Sequence, residues 1–165
     1  MSFKFNADEI FEMAEQIERN GARFYRKAAQ MLEGEKIAKL LLDLAAWEDG
    51  HEKVFAKLRE RLTDSERRPT TFDPDHEGSL YLRAMADGHV FDVKLDPADL
   101  LTGKETRAEI LRLALGQEKD SIVFYLGLKE MIAETGGKEK VDEIITEEMR
   151  HIGFLNKEIA TSRNE

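Results

Sequence analysis

Two Glu-x-x-His motifs, at Glu48/His51 and Glu148/His151, and two further glutamates, Glu18 and Glu118, carry the chemistry legible in this chain. A carboxylate and an imidazole three residues apart lie about one turn apart on one side of a helix, so each motif can present two ligand atoms together. One such pair is common by chance. Here a constant offset of 100 relates all six residues, and the same offset pairs Glu9 with Glu109, Phe24 with Phe124, Tyr25 with Tyr125 and Lys57 with Lys157. Apolar periodicity alone would preserve the class of residue at such positions, not the identity of Glu, His and Tyr. Four carboxylates contribute −4 and two divalent cations +4, with two neutral imidazoles completing the shells. Glu48 and Glu148 as bridges would hold the ions roughly 3.5–4 Å apart. Without metal, four inward carboxylates with no Lys or Arg at matching positions resist ionisation, which predicts raised pKa values for all four.

The elements that must position these residues are helices. Ile10, Met13, Ala14, Ile17, Phe24, Tyr25 and Ala28 recur at three- and four-residue steps behind an Asn6/Glu9 capping box. Similar stripes run from Ile37 to Leu62, from Ile110 to Ile132 behind a Thr102/Glu105 capping box, and from Val141 to Ile159. The pattern predicts helices over 7–32, 35–62, 103–134 and 138–161, within one domain spanning 1–165. The first and last pairs are joined by the short turns Glu33-Gly34-Glu35 and Thr135-Gly136-Gly137. The segment 63–102, which holds Pro69, Pro74 and Pro97, is predicted to be a crossover with a short helix over 79–89. The expected fold is all-α, a four-helix bundle of two pseudo-symmetric hairpins joined by that crossover. The ligand set then follows the known recipe of one Glu from each of two helices and Glu-x-x-His from each of the other two.

Composition narrows the partners. The sequence contains no cysteine, which excludes disulfides, thiolate metal sites and a cysteine nucleophile within it. A net charge of −9 argues against a nucleic-acid backbone as partner. No run approaches the roughly 18 apolar residues of a membrane span, and Met1–Asn6 has no signal-peptide core, so a cytoplasmic protein without membrane attachment is expected.

At Glu18-x6-Tyr25, Glu48-Asp49-Gly50-His51, Glu118-x6-Tyr125 and Glu148-Met149-Arg150-His151 the chain resembles the ferritin-like superfamily and, within it, the rubrerythrins. The resemblance covers all four helices. It implies a non-haem di-iron site, with two iron ions per chain, that reacts with peroxide or dioxygen, often in a homodimer. Two departures stand out. Rubrerythrins typically append a four-cysteine rubredoxin domain, impossible within a cysteine-free sequence, so electrons would come from a separate donor protein. They also carry a further Glu three residues after the third-helix ligand, where this chain has Ser121.

The expected function is reduction of a small oxidant, hydrogen peroxide or dioxygen. The alternatives are a ferroxidase or iron-handling protein and a non-catalytic bundle holding zinc or manganese, since intrinsic affinities do not favour iron. Tyr25 and Tyr125 are candidate catalytic residues, able to hydrogen-bond ligand carboxylates along the same stripe or to supply an electron. Trp47 is expected in the core or an interface, Met31 and Met131 as gap fillers, and His76 and His89 on the surface. Arg59, Arg61, Arg67 and Arg68 read as a solvated helix end. Gly21, Gly50, Gly116, Gly127 and Gly153 hint at room for metal, substrate or close helix packing.

Overall fold

Asn6 opens the first helix as anticipated. Its side chain accepts from Glu9 N at 2.9 Å while the Glu9 carboxylate accepts from Asn6 N at 3.0 Å, satisfying two of the free amides at a helix start. The computed structural model describes residues 6–68, 80, 81, 84, 96–133 and 137–162. Among them are four helices of 25 residues each: α1 (Ala7–Met31), α2 (Lys36–Glu60), α3 (Arg107–Met131) and α4 (Lys138–Ser162). α1 packs along α2 and α3 along α4, and the hairpins meet through α1–α3 and α2–α4.

The apolar stripes bury two clusters. One gathers Ile10, Phe11, Phe55, Phe124, Leu128 and Val141 with their neighbours; the other gathers Phe24, Leu41, Leu44, Ile110, Leu111 and Leu155 with theirs. Between these clusters lies a layer of buried polar side chains: Glu18, Glu48, His51, Glu118, Glu148 and His151.

The third helix begins at Arg107, four residues later than its sequence pattern predicts. The working capping box is Thr106/Glu109. Thr102 and Glu105 do bind each other, with Thr102 Oγ1 donating to the Glu105 carboxylate at 2.6 Å. But Gly103 between them has φ of +89°, a left-handed conformation that no α-helix can pass through. At the far end, extended Ile132 (ψ 152°) stops α3 at Met131, short of 134.

In the crossover, Pro97–Leu100 forms a 3₁₀ turn that the sequence did not signal, capped by Asp96 accepting from Ala98 N. Arg23 donates to Asp96 at 2.7 Å and Lys27 to Ala98 O at 2.8 Å, clamping this turn to α1. Of the short helix expected over 79–89, Leu80, Tyr81 and Ala84 are helical; the remainder, with His76 and His89, lies outside the described residues. Tyr81 donates to Val123 O at 2.6 Å and its ring fills the notch at Gly127, where an added Cβ would collide with Tyr81 Cε1. Gly21 likewise makes room, for Glu48, whereas Gly50, Gly116 and Gly153 face open space and make room for nothing. Met31 and Met131 pack, partly buried, against the two clusters. Arg59 and Arg67 are not a free basic patch: both pair with Asp8 on α1, and Arg59 also with Glu12 and Glu15.

Thr106→Ala should therefore cost about 1 kcal/mol of stability, the usual value of a helix N-cap. Thr102→Ala, outside the helix, should stay within about 0.5 kcal/mol. Urea unfolding of the two variants checks which pair caps α3.

Candidate metal centre

Each helix delivers its share of the polar layer. α1 presents Glu18, α2 Glu48 and His51, α3 Glu118, and α4 Glu148 and His151, every one with 5% exposure or less. Their ligand atoms form two groups, Glu18–Glu48–His51–Glu148 and Glu48–Glu118–Glu148–His151. Within each group the atoms lie within 4.8 Å of one another, and Glu48 and Glu148 belong to both. All six residues singled out for metal in the sequence are thus brought together, with the two motif glutamates in the shared position.

The donor set can be tested for fit. Glu18 Oε2, Glu48 Oε1, both Glu148 oxygens and the Nδ1 atoms of His51 and His151 are buried without a hydrogen bond. His51 Nδ1 lies 3.0 Å from Glu148 Oε1, and His151 Nδ1 2.9 Å from Glu148 Oε2. Buried polar atoms ordinarily find a hydrogen-bond partner, so unpartnered oxygens and nitrogens converging on two points are what a pair of oxygen- and nitrogen-liking cations would satisfy. The residues fit two divalent ions.

The tyrosines act across the bundle rather than along their own stripes. Tyr25 of α1 donates its hydroxyl to Glu118 of α3, and Tyr125 of α3 donates to Glu18 of α1. The reason is packing: each ring joins the apolar cluster on one side of the polar layer, and its hydroxyl reaches the carboxylate of the opposite hairpin. Both hydroxyls then hold one oxygen of a carboxylate and leave the other to face the centre. Burial, and next the neighbouring Glu118 or Glu18, push both phenol pKa values well up, so both remain protonated donors.

A crevice with about 20 Å³ of free volume reaches the layer between Gly21, Tyr25, Glu48, Glu118 and Ser121, with Pro97 of the 3₁₀ turn at its edge. That is room for roughly one water-sized molecule. Positions 21 and 121 are repeat partners and both are small. A Cβ at Gly21 would come within 3.3 Å of Glu48 Oε2.

Two neighbours of the histidines were not anticipated. Glu147 Oε2 lies 2.7 Å from His51 Nε2. Trp47, 40% exposed rather than in the core, stacks on the His151 ring with centroids 5.2 Å apart and planes 13° from parallel. Glu147 lies beside a ligand in sequence, but its contact is with the other hairpin, and nothing in the spacing along one chain signals that. The 47/147 mismatch within the repeat was the available clue.

The electrostatics without metal correct the expectation that all four carboxyls are hard to ionise. Burial, and then repulsion from Glu18 and Glu118, hold Glu48 well above the usual carboxyl range. Burial, and then Glu148, push Glu118 up to about 8. Glu148 goes the other way: burial and Glu48 raise it, but Glu118, His151 and His51 outweigh them, and its pKa is lowered. Burial would lower the two histidines, yet Glu148 and Glu18 raise His51 to about 12, while Glu118, Glu148 and Glu48 do the same for His151. The missing cations are supplied by the imidazoles of His51 and His151 themselves.

Comparison with known proteins agrees with this geometry. The Rubrerythrin family matches residues 9–90, which include Glu18, Glu48 and His51. The structure of a Thermotoga maritima protein described as a ferritin-like diiron-carboxylate protein superposes with a TM-score of 0.76. It is 25% identical and covers 98% of this chain and 99% of its own. No curated protein sequence matches.

The titration has a measurable consequence. Without metal, the carboxyls of Glu48 and Glu118 are raised and both imidazoles lie at about 12, so bound cations would displace protons from the layer. Loading should release protons, more than one per chain, read by calorimetry in buffers of different ionisation enthalpy. The folded apo chain binds more protons than the unfolded one above the ordinary carboxyl and imidazole values, so apo stability falls as pH rises. Metal reverses the sign, because it requires the deprotonated ligands. The stabilisation by metal should therefore grow from about pH 5 to about pH 8, measured by urea unfolding with and without metal.

Proposed function

We propose that this chain, a rubrerythrin-like member of the ferritin-like superfamily, is a non-haem di-iron redox protein that reduces hydrogen peroxide or dioxygen with electrons from a separate donor protein. The observation that carries the reading is the pair of four-ligand groups sharing Glu48 and Glu148. Glu18 and His51 would be the remaining ligands of one ion, Glu118 and His151 those of the other. Two ferrous ions held there supply one electron each, the two needed to turn one peroxide and two protons into two waters. These 165 residues hold no cysteine from which a rubredoxin-type iron centre could be built, so the electrons would enter from outside the four helices.

The chain's own residues define what can react. The apolar clusters above and below the layer keep bulk water away from the carboxylates. Tyr25 and Tyr125 fix Glu118 and Glu18 from opposite hairpins, so the two hairpins cannot slide without breaking a buried hydrogen bond. Tyr25 also lines the crevice, where its phenolic oxygen can hold a proton next to an incoming oxidant. The small volume there favours a small oxidant such as peroxide or dioxygen over a bulky organic substrate. Ser121 leaves this volume free where rubrerythrins carry a carboxylate.

Metal analysis after anaerobic loading tests the ligand roles. The wild-type chain should hold about two iron ions. Glu48→Ala and Glu148→Ala, each removing a bridge, should lose most of both, while Glu18→Ala and Glu118→Ala should keep about one. Wild-type content in all four variants would place the metal elsewhere.

Stopped-flow mixing of the reduced, loaded protein with peroxide tests the reaction. About two irons should be oxidised per peroxide consumed, with no hydroxyl radical trapped. Iron that stays ferrous in excess peroxide would contradict the proposed activity.

A further inference from the structure

Behind the ligand histidines the internal symmetry breaks. Position 147 is Glu, and its carboxylate sits 2.7 Å from His51 Nε2. Position 47 is Trp, and its indole lies flat on His151. Among the described residues no hydrogen bond reaches His151 Nε2. A carboxylate on the outer nitrogen of a ligand histidine fixes the tautomer, so that the inner nitrogen keeps its lone pair for metal, and it makes that lone pair more basic; such partners are typically worth about 10–100-fold in metal affinity. A stacked indole orients the ring but supplies neither effect. Both rings are 3% exposed, so the difference lies in what surrounds them. His151 lines a surface pocket of about 330 Å³ together with Trp47, Glu147, Arg150 and Phe154, and His51 does not.

Resting on the reading of these six residues as a di-metal centre, we propose that the Trp47/Glu147 mismatch makes its halves unequal. Glu18, Glu48, His51 and Glu148 hold one ion tightly. Glu48, Glu118, Glu148 and His151 form the weaker half, which exchanges its ion with solution by way of the pocket at Trp47. The two Glu-x-x-His motifs are the same in type and spacing, so the difference lies wholly in what stands behind each imidazole.

The test is a Zn²⁺ titration of the full-length apo protein, followed by calorimetry and by NMR of ¹⁵N-labelled histidines. The first equivalent should shift the ring nitrogens of His51 and leave those of His151 in place. The second should shift His151, with an affinity at least about 10-fold weaker. Emission of Trp47, the sole tryptophan, should change with that second step. Glu147→Gln keeps the size of the side chain and removes its charge; at a half-exposed position it should leave the fold intact and bring the two affinities together. Trp47→Glu should strengthen the second step. Histidines that shift together from the first addition, or an order and separation unchanged in Glu147→Gln, would overturn the proposal while leaving a di-metal centre in place. A protein in which neither histidine shifts would remove both.

Discussion

Four carboxylates buried between two hydrocarbon clusters are the constraint on which the rest of this structure depends. An uncompensated buried carboxylate is costly enough that a fold must neutralise it, pair it or bind a cation to it. Here the compensation is built into the layer itself. Two imidazoles stand within 3.0 Å of Glu148, and two tyrosine hydroxyls cross the bundle to take one oxygen each of Glu18 and Glu118. Without metal, the imidazoles of His51 and His151, raised to about 12 by these carboxylates, and the raised carboxyls of Glu48 and Glu118 carry part of that compensation. The layer can therefore be compensated by protons on its own side chains or by two divalent cations.

The scaffold follows from that layer. Helices of 25 residues leave an apolar cluster on each side of it, so that the polar atoms are held from both directions. Pairing helices as hairpins puts a lone Glu beside each Glu-x-x-His motif, and the crosswise tyrosines bind the hairpins to one another. The crossover is fastened where it passes the site: Arg23 and Lys27 hold its 3₁₀ turn, and Pro97 forms one edge of the crevice that reaches Glu48 and Glu118.

Much of this was legible in the sequence, because helix periodicity and ligand type are properties of residues a few positions apart. The four helices, the inward faces of the six ligands and the offset of 100 are all of that kind. What remained hidden depends on contacts between helices. Tyr25 shares a stripe with Glu18 yet bonds Glu118, and Glu147 serves His51 from the other hairpin. The start of α3 is not legible because Thr102/Glu105 and Thr106/Glu109 are equally good capping boxes in sequence; the left-handed Gly103 decides between them. The charge state of the layer is hidden for a related reason. Sequence spacing presents the histidines as neutral ligands, whereas their closeness to Glu148, Glu18 and Glu118 favours the protonated rings when metal is absent.

The central claim is that Glu48 and Glu148 are shared between two metal ions. An anomalous difference map from crystals of the anaerobically iron-loaded protein tests it most directly. The account predicts two peaks roughly 3.5–4 Å apart, both between Glu48 and Glu148, with His51 bound to one and His151 to the other. A single peak, or peaks confined to surface carboxylates, would contradict it.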